Sequence, residues 1–161
     1  MAELYRWSVA IHVVSAVVWI GGMWFIGLVL APELRKVEPG ARTGLYHEVG
    51  LRFRAIGWTC IGLLILTGLY NLAYRGIGWD RFWSAGFLEG RLGLTLAAKL
   101  AAVLAILALS VLHDFVYGPW LRDLPPGGPE WTALRKRIAW IGRANALLAL
   151  VVVVLAVRLF R

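Results

Sequence analysis

The stretch from Trp7 to Ala31 constrains the fold most, because none of its residues is formally charged apart from the titratable His12. An α-helix needs about 20 apolar residues to cross the hydrocarbon core of a bilayer. The stretch therefore predicts a membrane-spanning helix. His12 lies about one turn inside it, and a titratable ring in a membrane is costly and usually functional. What His12 binds is the main functional question.

Four apolar runs of about this length divide the chain. They cover roughly 8–31, 55–74, 92–113 and 138–157. The chain is 60% hydrophobic and 16% charged, with a mean hydropathy of +0.73, outside the usual range of soluble domains. These features predict an all-α integral membrane protein, a four-helix antiparallel bundle forming one domain over 1–161. The apolar pattern shows no internal repeat.

The gaps between the runs differ in character. In the first gap, Pro32, Pro39 and Gly40 are expected to interrupt the helix, which resumes near Arg42. The second gap, 76–90, mixes aromatic and charged residues, which predicts a short interfacial segment.

The net charge of +8 does not indicate nucleic-acid binding, because the Lys and Arg residues lie between apolar runs without a basic face or a reading motif. The expected surroundings are a lipid bilayer. Gaps 32–54 and 114–137 hold nine basic residues, against six in the second gap and the chain ends. By the positive-inside rule these two gaps are predicted to be cytoplasmic, with both termini outside.

Polar residues within the runs fall into two layers when depth is counted at about 1.5 Å per residue from the helix ends. The predicted outer layer contains His12, Ser15, Thr67, Asn71 and, slightly deeper, Lys99; the inner layer contains His47, Glu48, His113, Asp114, Arg143 and Asn145. A haem held by both His12 and His113 is unlikely on this count, because the two residues are expected on the order of 20 Å apart along the membrane normal.

Lys99 is the second strong signal, since an ammonium group well inside an apolar run either reaches the interface or faces a polar interior. His12 and Lys99 are therefore candidate cofactor-binding residues. Among metal ligands, His12 is the leading candidate, followed by Met23 and the single cysteine, Cys60, whose sulfur atoms suit Cu(I). His113 and His47 are weaker candidates. Core packing is the simpler interpretation of Met23 and Cys60.

Helix contacts also have a sequence signature. Ala97, Ala101, Ala105 and Ala108 recur at helical spacing in the third run, and Gly57, Gly62 and Gly68 do so in the second. Small residues let helix backbones approach closely in membranes. Both stripes are predicted to be contact faces.

Four segments carry a family resemblance: HVVSAVVWIGGMWFIGLVLAPELR, RFRAIGWTCIGLLILTGLYNL, GRLGLTLAAKLAAVLAILALSVLHDFVYGP and RANALLALVVVVLAVRL. Together they resemble the membrane domain of the copper-resistance D (CopD) family. The most specific pieces are the first-helix His with WIGG, the TG of the second helix and the GR to KL stretch of the third. The resemblance implies copper handling at the bacterial inner membrane.

A first-helix His combined with a third-helix Lys is also similar to HemJ-type protoporphyrinogen oxidases, four-helix membrane proteins. The resemblance implies haem binding and activity roles for His12 and Lys99. Copper and haem b thus both remain open as the cofactor, and catalysis stays undecided.

Three functions follow as alternatives. The first is a CopD-like protein that binds metal or haem in the outer half of the bundle and handles or transports copper. The second is a b-type haem oxidoreductase that uses His12 and Lys99. The third is an accessory or scaffold subunit without a prosthetic group, with a membrane or periplasmic protein as the candidate partner.

Overall fold

A computed structural model describes residues 2–159, and every regular element in this part of the chain is helical. The elements are α1 (Ala2–Leu34), α2 (Pro39–Tyr74), α3 (Trp79–Phe82), α4 (Ala85–Leu88), α5 (Arg91–Asp123) and α6 (Pro129–Leu159). Among the described helices, α1, α2, α5 and α6 are long and apolar enough to cross a membrane. The all-α fold class with four membrane-spanning helices is confirmed. Two predictions fall on residues that the structure does not describe. They are the location of the chain ends outside the cell and the contribution of Arg161 to the charge count.

The chain consists of two compact units, one ending at Arg81 and the other beginning at Phe82. In the first unit α1 packs against α2, and in the second α5 packs against α6. The first pair is antiparallel: the Tyr46 hydroxyl donates to the Ala31 carbonyl near the turn, 3.2 Å away, and the Tyr5 and Tyr74 rings stack at the open end with centroids 4.2 Å apart. A single domain over the whole chain and its orientation in the membrane stay predictions.

The helices are longer than the apolar runs from which they were predicted. Only residues 35–38 separate α1 from α2, and only residues 124–128 separate α5 from α6. The Glu38 side chain accepts hydrogen bonds from the backbone N–H groups of Gly40 and Ala41, at 2.9 and 3.2 Å, and Pro39 fits the first turn because its missing donor is not needed there. Most of the 32–54 gap, including Arg52, is therefore helical.

Pro32 does not end α1, contrary to the prediction. Residues Ile26–Leu30 form a π-helical turn, in which the Ala31 N–H bonds to the Ile26 carbonyl five residues earlier. Pro32 lacks an N–H, and its ring crowds the carbonyl four residues before it. The wider turn accommodates this change of hydrogen bonding, so the helix continues to Leu34.

The second unit also contains a π-helical turn before a proline. A π-helical turn spans Leu112–Tyr117, the Gly118 N–H bonds to the His113 carbonyl, and Pro119 follows. The sequence around each proline is similar, APELR at 31–35 and GPWLR at 118–122. Each hairpin thus contains a π-helical turn followed by a proline, a similarity not evident from apolar patterning alone. Counting back 20 residues from each proline gives His12 in the first unit and Lys99 in the second.

A small core and a buried hydrogen bond hold α5 and α6 together in the second unit. Ile106 is 2% exposed and Ala149 1% exposed, and the buried Asn145 amide donates to the Ser110 hydroxyl at 3.0 Å. The predicted alanine stripe is not this contact face, because Ala101, Ala105 and Ala108 are exposed. The buried residues of α5 lie on another face and are Gly93, Leu96, Ile106 and Ser110.

The predicted short segment at 76–90 consists of α3, α4 and their connecting turns. Gly76, with φ of +69°, ends α2, and the Ile77 N–H bonds back to the Leu72 carbonyl. At the other end, the Phe87 carbonyl lies where a side chain on Gly93 would start. Glycine at 93 therefore lets this segment fold directly onto the start of α5.

Candidate functional site

His12 faces α2 at the level of Thr67. Its Nδ1 lies 2.8 Å from the Thr67 Oγ1, as the shared outer layer predicted. The Thr67 hydroxyl has a single proton, and it donates this proton to the Leu63 carbonyl, its closest acceptor. With that proton used, Thr67 accepts from His12, and this hydrogen-bond pattern assigns the ring proton to Nδ1. In the neutral ring the lone pair is consequently on Nε2.

Gly68 provides the space in which this ring lies. A Cβ built at Gly68 would be 3.4 Å from His12 Cε1 and 3.9 Å from Nδ1. A methyl group would thus just touch the imidazole, and a longer side chain would displace it. Thr67 and Gly68 form the TG pair of the second helix: the first residue orients the histidine and the second leaves room for it.

Two further contacts between an aromatic ring and a glycine bring α1 and α2 together, between the His12 level and the turn. A Cβ on Gly57 would lie 3.4 Å from the Trp19 indole, and the Phe53 ring occupies the space beside Gly22. Glycines let helices approach closely where an aromatic ring from the partner fills the space. This close packing fixes which face of α1 meets α2, and hence where His12 points.

The open end of the hairpin is polar and aromatic. Ser8 is 8% exposed and its hydroxyl donates to the Thr67 carbonyl at 3.5 Å, while the Arg75 Nε donates to the Tyr5 hydroxyl at 3.1 Å. Asn71, one turn beyond Thr67, has a buried Oδ1 without a hydrogen-bond partner in the part of the chain described. Buried acceptors are usually paired. Sequence reasoning placed Asn71 in this layer but did not identify its orphaned oxygen.

Met23 and Cys60 lie at different levels of the same helix pair. Gly22 meets Phe53 and Trp19 meets Gly57, so Met23 is close to the level of Phe53. Cys60 is seven residues further along α2, which corresponds to on the order of 10 Å. Cys60 is buried and Met23 half-buried. The two sulfur atoms are separate positions along the pair, and their roles as ligands stay predictions.

The remaining candidates are spread over both units. Lys99 is half-buried on α5. His113, 14 residues later and thus on the order of 20 Å along the helix, has its Nδ1 2.7 Å from the Asp114 carboxylate in the π-helical turn. His47 is exposed on α2.

The residues that the structure describes do not form a closed metal centre from His, Cys, Asp and Glu side chains. Between residues 2 and 159, no group of three or more His, Cys, Asp and Glu residues could together hold a metal ion. Any metal or cofactor in the first unit would therefore rest on few protein ligands, of which His12 has the best-defined orientation.

Comparisons with known proteins identify the family of this chain. A family model described as copper resistance protein D (CopD) matches residues 47–159. A protein of Aquifex aeolicus (strain VF5), described as uncharacterized, is 32% identical over 162 residues, covering 99% of this chain and 95% of the relative. No solved structure matches the chain significantly.

Proposed function

Because this integral membrane protein belongs to the copper resistance protein D family, we propose that it handles copper at the bacterial inner membrane, with His12 Nε2 as a copper ligand. The observation that carries the proposal is the Nδ1 hydrogen bond to Thr67. Metal-bound histidines commonly donate their other ring N–H to a neighbouring oxygen, which fixes the tautomer and the ring orientation. Thr67 and Gly68 fit that role.

The surroundings of His12 support a cationic ligand. The orphaned Asn71 Oδ1 and the oriented imidazole lie towards the same end of the first unit. Imidazole nitrogen suits copper, whereas the Asn71 amide oxygen is a harder donor that suits Cu(II) better than Cu(I). Met23 and Cys60 provide softer sulfur atoms nearer the turn, and we propose them as weaker, separate Cu(I) positions rather than as part of the His12 site.

Thr67→Val tests the proposal because valine keeps the shape of the side chain and removes the hydroxyl that orients His12. We expect purified wild-type protein to bind about one Cu(I) per chain, and Thr67→Val to bind it roughly 10- to 100-fold more weakly, the usual effect of losing a partner of a metal-bound histidine. The measurement is a competition titration with a Cu(I) chelator in detergent.

Thr59→Val is the matched control. It removes an exposed hydroxyl on the same helix whose bond is to its own helix, the Ala55 carbonyl at 3.0 Å. Copper affinity should be unchanged in this variant. Equal loss in both variants, or none in either, would contradict the role of Thr67.

The second candidate function is a b-type haem membrane oxidoreductase. The observation that favours it is the recurring π-helical turn and proline, since a proline follows His12 in one hairpin and Lys99 in the other at the same spacing. His12 would then hold the haem iron through its imidazole nitrogen. Bound haem would supply one-electron chemistry. A Soret absorption band in the purified protein, without bound copper, would support this function. If the protein showed neither a Soret band nor bound copper, an accessory or scaffold subunit would be the remaining alternative.

A further inference from the structure

A groove on the first unit has no role in the proposed copper site. It has a volume of about 310 Å³, at the lower end of the range for small-molecule sites, and it lies between α1 and α2 on the turn side of Gly22. Its walls are apolar, with Phe25 and Ile26 from α1 and Phe53 and Ile56 from α2. Phe25 and Ile56 are 56% and 50% exposed, so the groove opens to the surroundings of the protein.

One charged residue lines this groove, Arg52. Its side chain makes no ion pair or hydrogen bond with any residue in the described range, including Glu48 one turn earlier. Arg52 precedes the apolar run 55–74 by three residues, about 5 Å along the helix. With the membrane boundary at the start of this run, the guanidinium group would lie beside the headgroup layer, and Ile56 and Gly22 would extend the groove towards the hydrocarbon.

We infer that this groove binds one anionic phospholipid, with the phosphate at Arg52 and an acyl chain along Phe53 and Ile56. The shape and charge match the two parts of such a lipid, an anionic headgroup at the interface and a chain in the apolar layer. The π-helical turn Ile26–Leu30 contributes Ile26 and Leu30 to the wall, so the widened helix helps to shape the groove. Charge complementarity favours a lipid over an apolar protein segment, which would leave Arg52 without a counter-charge.

The test compares binding of phosphatidylglycerol and phosphatidylcholine to the detergent-purified full chain by native mass spectrometry. A single Arg near a membrane surface favours an anionic lipid by about fivefold. We expect phosphatidylglycerol to bind about fivefold more tightly than phosphatidylcholine, and Arg52→Gln to abolish the preference. Arg42→Gln is the matched control, since it removes the same charge from the same helix outside the groove. It should leave the preference intact.

A second pair of variants tests the acyl-chain site. Ile56→Trp fills the groove and should weaken both lipids, whereas Leu66→Trp, at an exposed position of α2 outside it, should not. Circular dichroism verifies that each variant remains helical. Equal binding of the two lipids, equal effects of Arg52→Gln and Arg42→Gln, no effect of Ile56→Trp, or a dimer that excludes lipid from the groove would each overturn the inference.

Discussion

Replacing His12 with alanine is expected to remove copper from the purified protein. In the proposed site Thr67 orients the ring without binding the metal, so its loss is expected to lower copper affinity roughly 10- to 100-fold. Loss of the ligand nitrogen itself should cost more. The chelator titration should then show no Cu(I) retained by His12→Ala under conditions in which the wild type holds about one equivalent.

His47→Ala is the control for this experiment, because His47 is exposed on α2 and lies away from the Thr67 level. It should bind copper like the wild type. Both variants should keep the helical circular dichroism spectrum, because His12 is half-buried and His47 exposed, so neither ring belongs to the buried core. Copper retained by His12→Ala would contradict the assignment of His12 as a ligand.

Enlarging Gly68 is the second change with a large expected effect. A Cβ at this position meets the imidazole at ordinary contact distance, so Gly68→Ala should bind copper nearly as well as the wild type. Gly68→Leu adds atoms where the His12 ring lies, which should push it from Thr67 and lower copper affinity by at least about tenfold. The graded response separates displacement of the ring from a general effect of substitution.

Gly62→Leu provides the comparison. A Cβ at Gly62 has nothing within 4 Å, so the same addition on the same helix should leave affinity unchanged. Copper titrations of the three variants, alongside their melting curves in detergent, give the result. If Gly68→Leu binds copper with the same affinity as Gly62→Leu, the contact between His12 and Gly68 does not contribute to copper binding.

The spans were predictable from the sequence because long uncharged stretches have few alternatives to a membrane helix. Helix ends were less predictable. Pro32 normally signals a break, and the π-helical turn that lets α1 continue depends on backbone hydrogen bonding five residues apart, which residue types do not reveal. The Glu38 cap also extended α2 well into the charged gap.

The depth of the site residues along the helices was predictable from the sequence. Counting residues from the helix ends placed His12 and Thr67 in one layer, and they share a hydrogen bond. The rotation of each helix about its axis was not available from such a count. For this reason Gly57 and Gly68 were correctly expected at a contact face, whereas Gly62 has no neighbour within 4 Å of its Cβ position and most of the alanine stripe of α5 is exposed.

The nitrogen atoms of His12 test the central claim most directly. Two-bond ¹H–¹⁵N correlation spectra of histidine-labelled protein, with His12→Ala for assignment, report which nitrogen carries the proton. We predict a proton on Nδ1 in the metal-free protein and, on addition of Cu(I), a displaced Nε2 signal with Nδ1 still protonated. A proton on Nε2 that is unaffected by Cu(I) would contradict the account.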